Sequence, residues 1–182
     1  MFAKFKQAKP FRPQFSIGCL FDIATGRYEK GMKNENILNG GVANIEGVTG
    51  PGNSFKSTVA HFRMLKMLKN YIIATGFMYD TENSASLNRL KDLAMVIDPT
   101  GWLAASLDDE EVQRFLFTDA AEYNGTEWWN LFKDGVLDRI ANLKEIDTPF
   151  LNVKTGECYK ILPPMVGEID SLSQFQSAAV FK

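Results

Sequence analysis

The sequence predicts an α/β fold in which a mostly parallel sheet is flanked by helices. Two observations carry this. Residues 42–50, VANIEGVTG, form a strand-like run that passes through a glycine-rich turn into helical spacing over 57–70. A second β-prone run, YIIATGFMY at 71–79, leads into another amphipathic segment marked by Leu87, Leu90, Ala94 and Ile97. Strands alternating with helical patterns of this length belong to parallel sheets. The chain has 182 residues, which at about 150 residues per domain is one domain, or one with an appendage.

The first fifteen residues read as a basic N-terminal arm, with Lys4, Lys6, Lys9 and Arg12 unopposed by acid and the aromatics Phe2, Phe5 and Phe11 between them. The core is expected over 16–182. Residues 16–26, SIGCLFDIATG, pair a short apolar run with a glycine stop, and the polar stretch up to Gly40 and Gly41 reads as a loop. In the helix over 57–70, Val59, Phe62, Leu65 or Met67, and Leu68 mark the apolar side, and Arg63, Lys66 and Lys69 the polar one. Asp98-Pro99 closes the second helix.

VQRFLFT at 112–118 is a third short strand. Thr126 is the expected N-cap of a helix carrying Trp129, Phe132, Val136, Ile140 and Leu143, with Trp128 and Trp129 read as packing residues. FLNVKTGECYKIL places two β-prone arms about a Thr-Gly turn, a hairpin inserted near 148–164. MVGEIDSL follows, with Val166 and Ile169 suited to a strand that ends at Asp170.

Composition narrows the function. Lys plus Arg number 20 against 22 Asp plus Glu, a net charge of −2, so no global basic field drives nucleic-acid binding and any polyanion contact must be local. Cys19 and Cys158 cannot build a disulfide framework, and with the lone His61 they make a poor zinc set. No apolar run approaches the ~20 residues that span a bilayer, and the expected location is the cytoplasm.

The segment that carries chemistry is GPGNSFKST at 50–58, between a strand-like run and a helix. The phosphate-loop pattern G-x-x-x-x-G-K-[ST] is met at Gly50, Lys56 and Ser57, while Phe55 stands where the second glycine belongs. The backbone N–H groups of Gly50, Gly52, Asn53, Ser54 and Phe55, with Pro51 shaping the turn among them, continue into Ser57 and Thr58 at a helix N-terminus and suit phosphate oxygens. Lys56 suits the terminal phosphates, and the Ser57 hydroxyl suits Mg²⁺. Glu82, just past the second strand, is placed to activate water at the C-terminal sheet edge. Asp170 is placed as a carboxylate holding Mg²⁺ through water, with Asp80 and Glu168 as its nearest competitors.

Together these residues resemble the RecA family of recombinases, most closely its tailed-phage UvsX branch. DIATG at 22–26 is similar to the family's D-I-A-x-G, GPGNSFKST to the branch's phosphate loop with Phe before Lys, YDTEN at 79–83 to its strand-end acidic motif, and IDSL at 169–172 to its Walker B end. F-x-x-A at Phe5 to Ala8 is a pattern some recombinases use for subunit docking. The resemblance implies a RecA-like core that stops soon after the Walker B strand, with ATP and Mg²⁺ as cofactors, Lys56 and Glu82 as catalytic residues, and Ser57 and Asp170 as metal ligands. It implies a DNA-dependent ATPase of homologous recombination whose partners are single-stranded DNA, further copies of itself in a filament, and a second polypeptide supplying a missing C-terminal half, with no membrane. The alternatives are another RecA-fold motor, such as a phage replicative helicase, and a non-hydrolysing filament partner.

Overall fold

The computed structural model describes residues 11–18, 20–42, 45–109, 111 and 113–175. Residues 1–10, which hold most of the expected basic arm and its F-x-x-A pattern, lie outside the described residues, as do Cys19 and Val112. The chain is a mixed α/β structure built on a parallel three-stranded sheet flanked by helices. The sheet has the order β4-β3-β7, from β3 (Thr75–Asp80), β4 (Phe115–Asp119) and β7 (Met165–Asp170), and both pairings are parallel. One face carries α2 (Lys56–Asn70), α3 (Leu87–Ile97) and the short α4 (Trp102–Ala105), and the other carries α5 (Gly125–Asn142).

Two further units are small antiparallel pairs. After α1 (Leu20–Thr25), β1 (Arg27–Lys30) pairs with β2 (Asn36–Asn39), and β5 (Ile146–Asn152) pairs with β6 (Glu157–Ile161). The residues read as a loop after Gly26 therefore contain a hairpin. The two units touch through the Gly31–Phe150 bridge, and Phe11 stacks on Tyr159 at 3.9 Å between ring centres. The C-terminal part of the expected arm is thus docked on the chain's own hairpin. Gly40 allows the close approach in this region, since a Cβ there would lie 2.0 Å from the Asp22 carbonyl oxygen.

The principal core lies between the sheet and its α2/α3 face, where Met64, Leu65, Leu68, Met78, Leu90, Ala94, Leu103 and Leu107 are buried together. Along α2 the buried set is His61, Met64, Leu65, Met67 and Leu68, whereas Val59 and Phe62 are exposed. The apolar face is thus rotated from the one that the sequence spacing marks, because it follows 61, 64/65 and 68 down onto the sheet. The same correction applies to α5. Its inner face carries the buried Trp128 and Arg139, with half-buried Gly135 and Phe132 against Phe77, while Trp129 and Ile140 are exposed. Gly135 decides this orientation, since a Cβ there would lie 2.8 Å from the Phe77 ring.

Element ends differ from the sequence reading for identifiable reasons. The N-cap of α5 is Asn124, not Thr126: its side chain accepts from the Thr126 and Glu127 amides while the Glu127 carboxylate accepts from the Asn124 amide, a complete capping box. β3 starts at Thr75 rather than Tyr71 because Arg114 draws the preceding carbonyls into a turn. Its guanidinium donates to the backbone oxygens of Leu68, Tyr71 and Ala74, at 2.7, 3.1 and 3.2 Å, and lies over the Trp102 ring. Arg139 does the same at the start of β7, donating to Pro163 and Pro164 carbonyls and to Thr75 Oγ1. The strand expected over 42–50 is not formed: Val42 makes one bridge to Phe15, and the described residues from Ile45 to Gly50 belong to no sheet. Glu46 of that run is ion-paired to Arg63 of α2.

Removing the Arg114 side chain strands three backbone acceptors at the base of the sheet. Arg114→Leu is expected to lower unfolding stability by about 3 kcal/mol, measured by denaturant titration. Burial pushes the Asp98 carboxyl up, but hydrogen bonds from Thr100, Lys69 and the Leu103 amide, with the Lys69 charge, outweigh it and hold the group below the ordinary carboxylate range. A depressed folded value stabilises above the unfolded one and is lost as pH falls through it. The stability gap between wild type and Asp98→Asn is therefore expected to be full at pH 7 and to close below pH ~4, checked by denaturant midpoints across that range.

Candidate functional site at the C-terminal sheet edge

Helix α2 begins directly at Lys56, with Phe55 as its N-cap residue. Asn53 and Phe55 both adopt left-handed backbone conformations, with φ of 59° and 58°, so the loop folds back on itself just before the helix. The Ser54 hydroxyl donates to the Pro51 carbonyl at 2.7 Å, and Lys56 Nζ donates to the same oxygen at 2.8 Å. Phe55 makes no side-chain cap and is 76% exposed, so the ring sits outside the loop and does not fill it. Among the described residues no side chain caps the first amides of α2, and the residues just before them, 50–55, form an exposed turn.

The sheet places the acidic residues. Register pairs Asp80 with Asp119 on one side and with Asp170 on the other, so three aspartates stand in a row at the C-terminal edge. Two of them brace their own loops. Asp119 Oδ1 accepts from the Ala121 and Glu122 amides, and Asp80 accepts from the Glu82 and Ala85 amides. Asp170 has no side-chain hydrogen bond among the described residues. Of its two competitors, Asp80 is fully buried and committed to loop geometry, and Glu168 is paired with His61.

Glu82 is exposed just beyond β3, and its Oε1 accepts from Ser171 Oγ at 2.8 Å. Ser171 follows β7, so this bond ties the two strand ends together at the edge. Thr81 strengthens the tie: its Oγ1 accepts from the Ser171 amide at 2.7 Å and donates to the Ser171 carbonyl at 2.8 Å. The Asp170–Ser171 peptide is cis.

The relation between loop and sheet follows from one buried contact. His61 Nδ1 and Glu168 Oε1 are hydrogen-bonded at 2.6 Å, with both side chains more than nine-tenths buried. Helix α2 runs antiparallel to the strands, since its C-terminal carbonyls are gathered by Arg114 at the start of β4 and four residues lead from it into β3. Parallel partners share a face, so Glu168 lies beside Met78 on the α2 side and Asp170 beside Asp80 on that same side. From His61 back to Ser57 is one helical turn, about 6 Å. From Glu168 forward to Asp170 is two strand residues, about 6.6 Å in the same direction. Ser57 and Asp170 therefore arrive level with each other at the C-terminal edge.

Electrostatics follow this placement. Burial pushes the Glu168 carboxyl up, the hydrogen bond and charge of His61 pull it back, and Asp170 adds a further upward push. The groove between α2 and α3, about 280 Å³ and lined by Thr58, His61, Arg89, Asp92, Leu93 and Val96, lies beside the Lys56 loop and not over it.

Every site residue singled out from the sequence, from Gly50 to Thr58 with Glu82 and Asp170, falls among the described residues; Glu82 and Asp170 stand at neighbouring strand ends, and Lys56 opens α2, whose antiparallel course starts at that same end of the sheet. His61 was not expected there, whereas Glu168 was named only as a competitor of Asp170, and Thr81 and Ser171 only as parts of the YDTEN and IDSL matches. The only sequence signal for His61 was its position one turn beyond Ser57, and Glu168 read as an interruption of an apolar strand. Among the described residues no cluster of His, Cys, Asp and Glu forms a metal cage, and no helix is long and apolar enough to cross a membrane. No protein-family model, curated protein or solved structure matches the chain.

Left-handed geometry at a non-glycine residue is costly, and Phe55 gains no packing in return. Phe55→Gly is expected to raise stability by up to about 1 kcal/mol without moving the helix start, measured by denaturant unfolding and amide exchange at residues 56–60.

Proposed function

We propose that the chain is the nucleotide-binding portion of a RecA-type ATPase of DNA recombination, binding ATP with Mg²⁺ at the loop of residues 50–58. The observation that carries this reading is the His61–Glu168 hydrogen bond, from which helix and strand rise bring Ser57 on the first turn of α2 level with Asp170 at the end of β7, with Glu82 bonded to Ser171 beside it. A phosphate loop followed by a hydroxyl, opposite an unengaged carboxylate, is the donor set that a magnesium–triphosphate requires.

The residues fit that ligand. The loop amides and the N-terminal end of α2 supply positive potential and donors for phosphate oxygens. Lys56 rests on the Pro51 carbonyl at 2.8 Å and would be the residue to hold the terminal phosphates. Ser57 and Asp170 are the residues that would hold the cation. Bound Mg²⁺ would neutralise charge on the transferring phosphate. Glu82 orients or deprotonates the attacking water, and its bond from Ser171 holds the carboxylate at the edge while leaving Oε2 for that role.

On this reading the partners are single-stranded DNA and neighbouring copies in a filament. The strand order β4-β3-β7, with helices on both faces, supports a doubly covered nucleotide-binding sheet, which places ligands beyond the carboxyl ends of its strands.

A fluorescent ATP analogue titrated with Mg²⁺ into wild type and variants tests the assignment. Lys56→Ala is expected to weaken binding at least tenfold, about 1.4 kcal/mol. Glu82→Gln is expected to keep wild-type affinity while lowering any hydrolysis rate by about 100-fold or more. Unchanged affinity in Lys56→Ala would sink the reading.

A further inference from the structure

We propose that the buried His61–Glu168 bond is a register pin, a positioning pair that holds Ser57 level with Asp170 so that the edge can capture Mg²⁺. The inference rests on the nucleotide reading above and adds the device that sets its geometry.

Apart from the Arg114 guanidinium that gathers the last carbonyls of α2 at the base, the interface between α2 and the sheet is apolar. Met64, Leu65 and Leu68 pack down onto Met78, and hydrophobic contact of this kind is non-directional. Methionine-containing surfaces also repack easily, so a slide of one residue along the axis, about 1.5 Å, meets little resistance from them. A hydrogen bond of 2.6 Å between two buried side chains has a single register in which it forms. Among the described residues it is the only side-chain hydrogen bond from α2 to a strand side chain.

The pair is a poor choice if stability is its purpose. Glu168 is stripped of water, and its Oε2 is buried without a partner. Apolar residues of similar volume in place of a buried polar pair are commonly neutral or stabilising, whereas breaking one partner is costly. What the pair supplies and leucines would not is position. Both metal-facing groups lie one short step from it, Ser57 a turn back along α2 and Asp170 two residues forward along β7, so a slip at the pin appears at the metal site with little attenuation.

The decisive variant is His61→Leu/Glu168→Leu, compared with wild type and with Glu168→Gln, whose carboxamide can still hydrogen-bond the imidazole. Each is titrated with the fluorescent ATP analogue in EDTA and across a Mg²⁺ series, and unfolded in denaturant. The double variant is expected to be at least as stable as wild type and to bind the analogue in EDTA unchanged, yet to lose at least about tenfold of the Mg²⁺-dependent gain in affinity. Glu168→Gln is expected to retain that gain. A double variant with wild-type Mg²⁺ dependence overturns the pin and leaves the nucleotide reading intact. A double variant that does not fold overturns it as well, because the pair would then serve stability. Wild type that binds no nucleotide under either condition overturns the nucleotide reading, and the pin with it.

Discussion

The antiparallel seating of α2 on β3 and β7 is the constraint on which the rest of the molecule depends. It is fixed at two ends by different physics. At the base, the Arg114 guanidinium collects the last carbonyls of α2 and the turn that follows, satisfying acceptors that would otherwise be buried and unpaired. Nearer the top, His61 meets Glu168 inside an apolar interface. Between them the methionines and leucines provide cohesion without direction. Arg139 repeats the basal device on the opposite face, drawing α5 to the entries of β3 and β7.

This arrangement sorts chemically similar residues into different roles. Three aspartates end three adjacent parallel strands, yet two of them spend their oxygens on the amides of the loops they begin. Only Asp170 keeps its carboxylate unengaged among the described residues. Glu82 and Ser171, eighty-nine positions apart, meet because β3 and β7 are neighbours. Their bond and the reciprocal pair between Thr81 and Ser171 make the edge a linked unit in place of two loose strand ends.

Departures from the sequence pattern share one cause, which is that a neighbour outweighs local preference. The apolar spacing of α5 favoured a face through Trp129 and Ile140, but Gly135 lets the Phe77 ring approach and turns Trp128 inward instead. The described residues 45–50 before the loop join no sheet, and Glu46 is tied instead to Arg63 of α2. Tyr71 to Ala74, apolar enough for a strand, is bent by Arg114. In each case a single long-range contact decides, and such contacts leave no mark on the periodicity of the segment they reshape.

The sequence by itself determined the alternation of helices with parallel strands, the boundaries of α3, and the loop from Gly50 to Thr58 at the start of a helix. These rest on local chemistry: apolar spacing, the Asp98-Pro99 stop, and glycines in a turn. It also marked Glu82 and Asp170, because acids immediately after β-prone runs fall at the carboxyl ends of strands. Only the tertiary structure decided that Asp80 and Glu168 are structural while Asp170 is open, and that His61 and Ser171 belong to the site. The reason is that strand order and helix register are set by pairings between segments up to 107 residues apart, and burial, which gives a lone histidine its meaning, exists only once those segments have met.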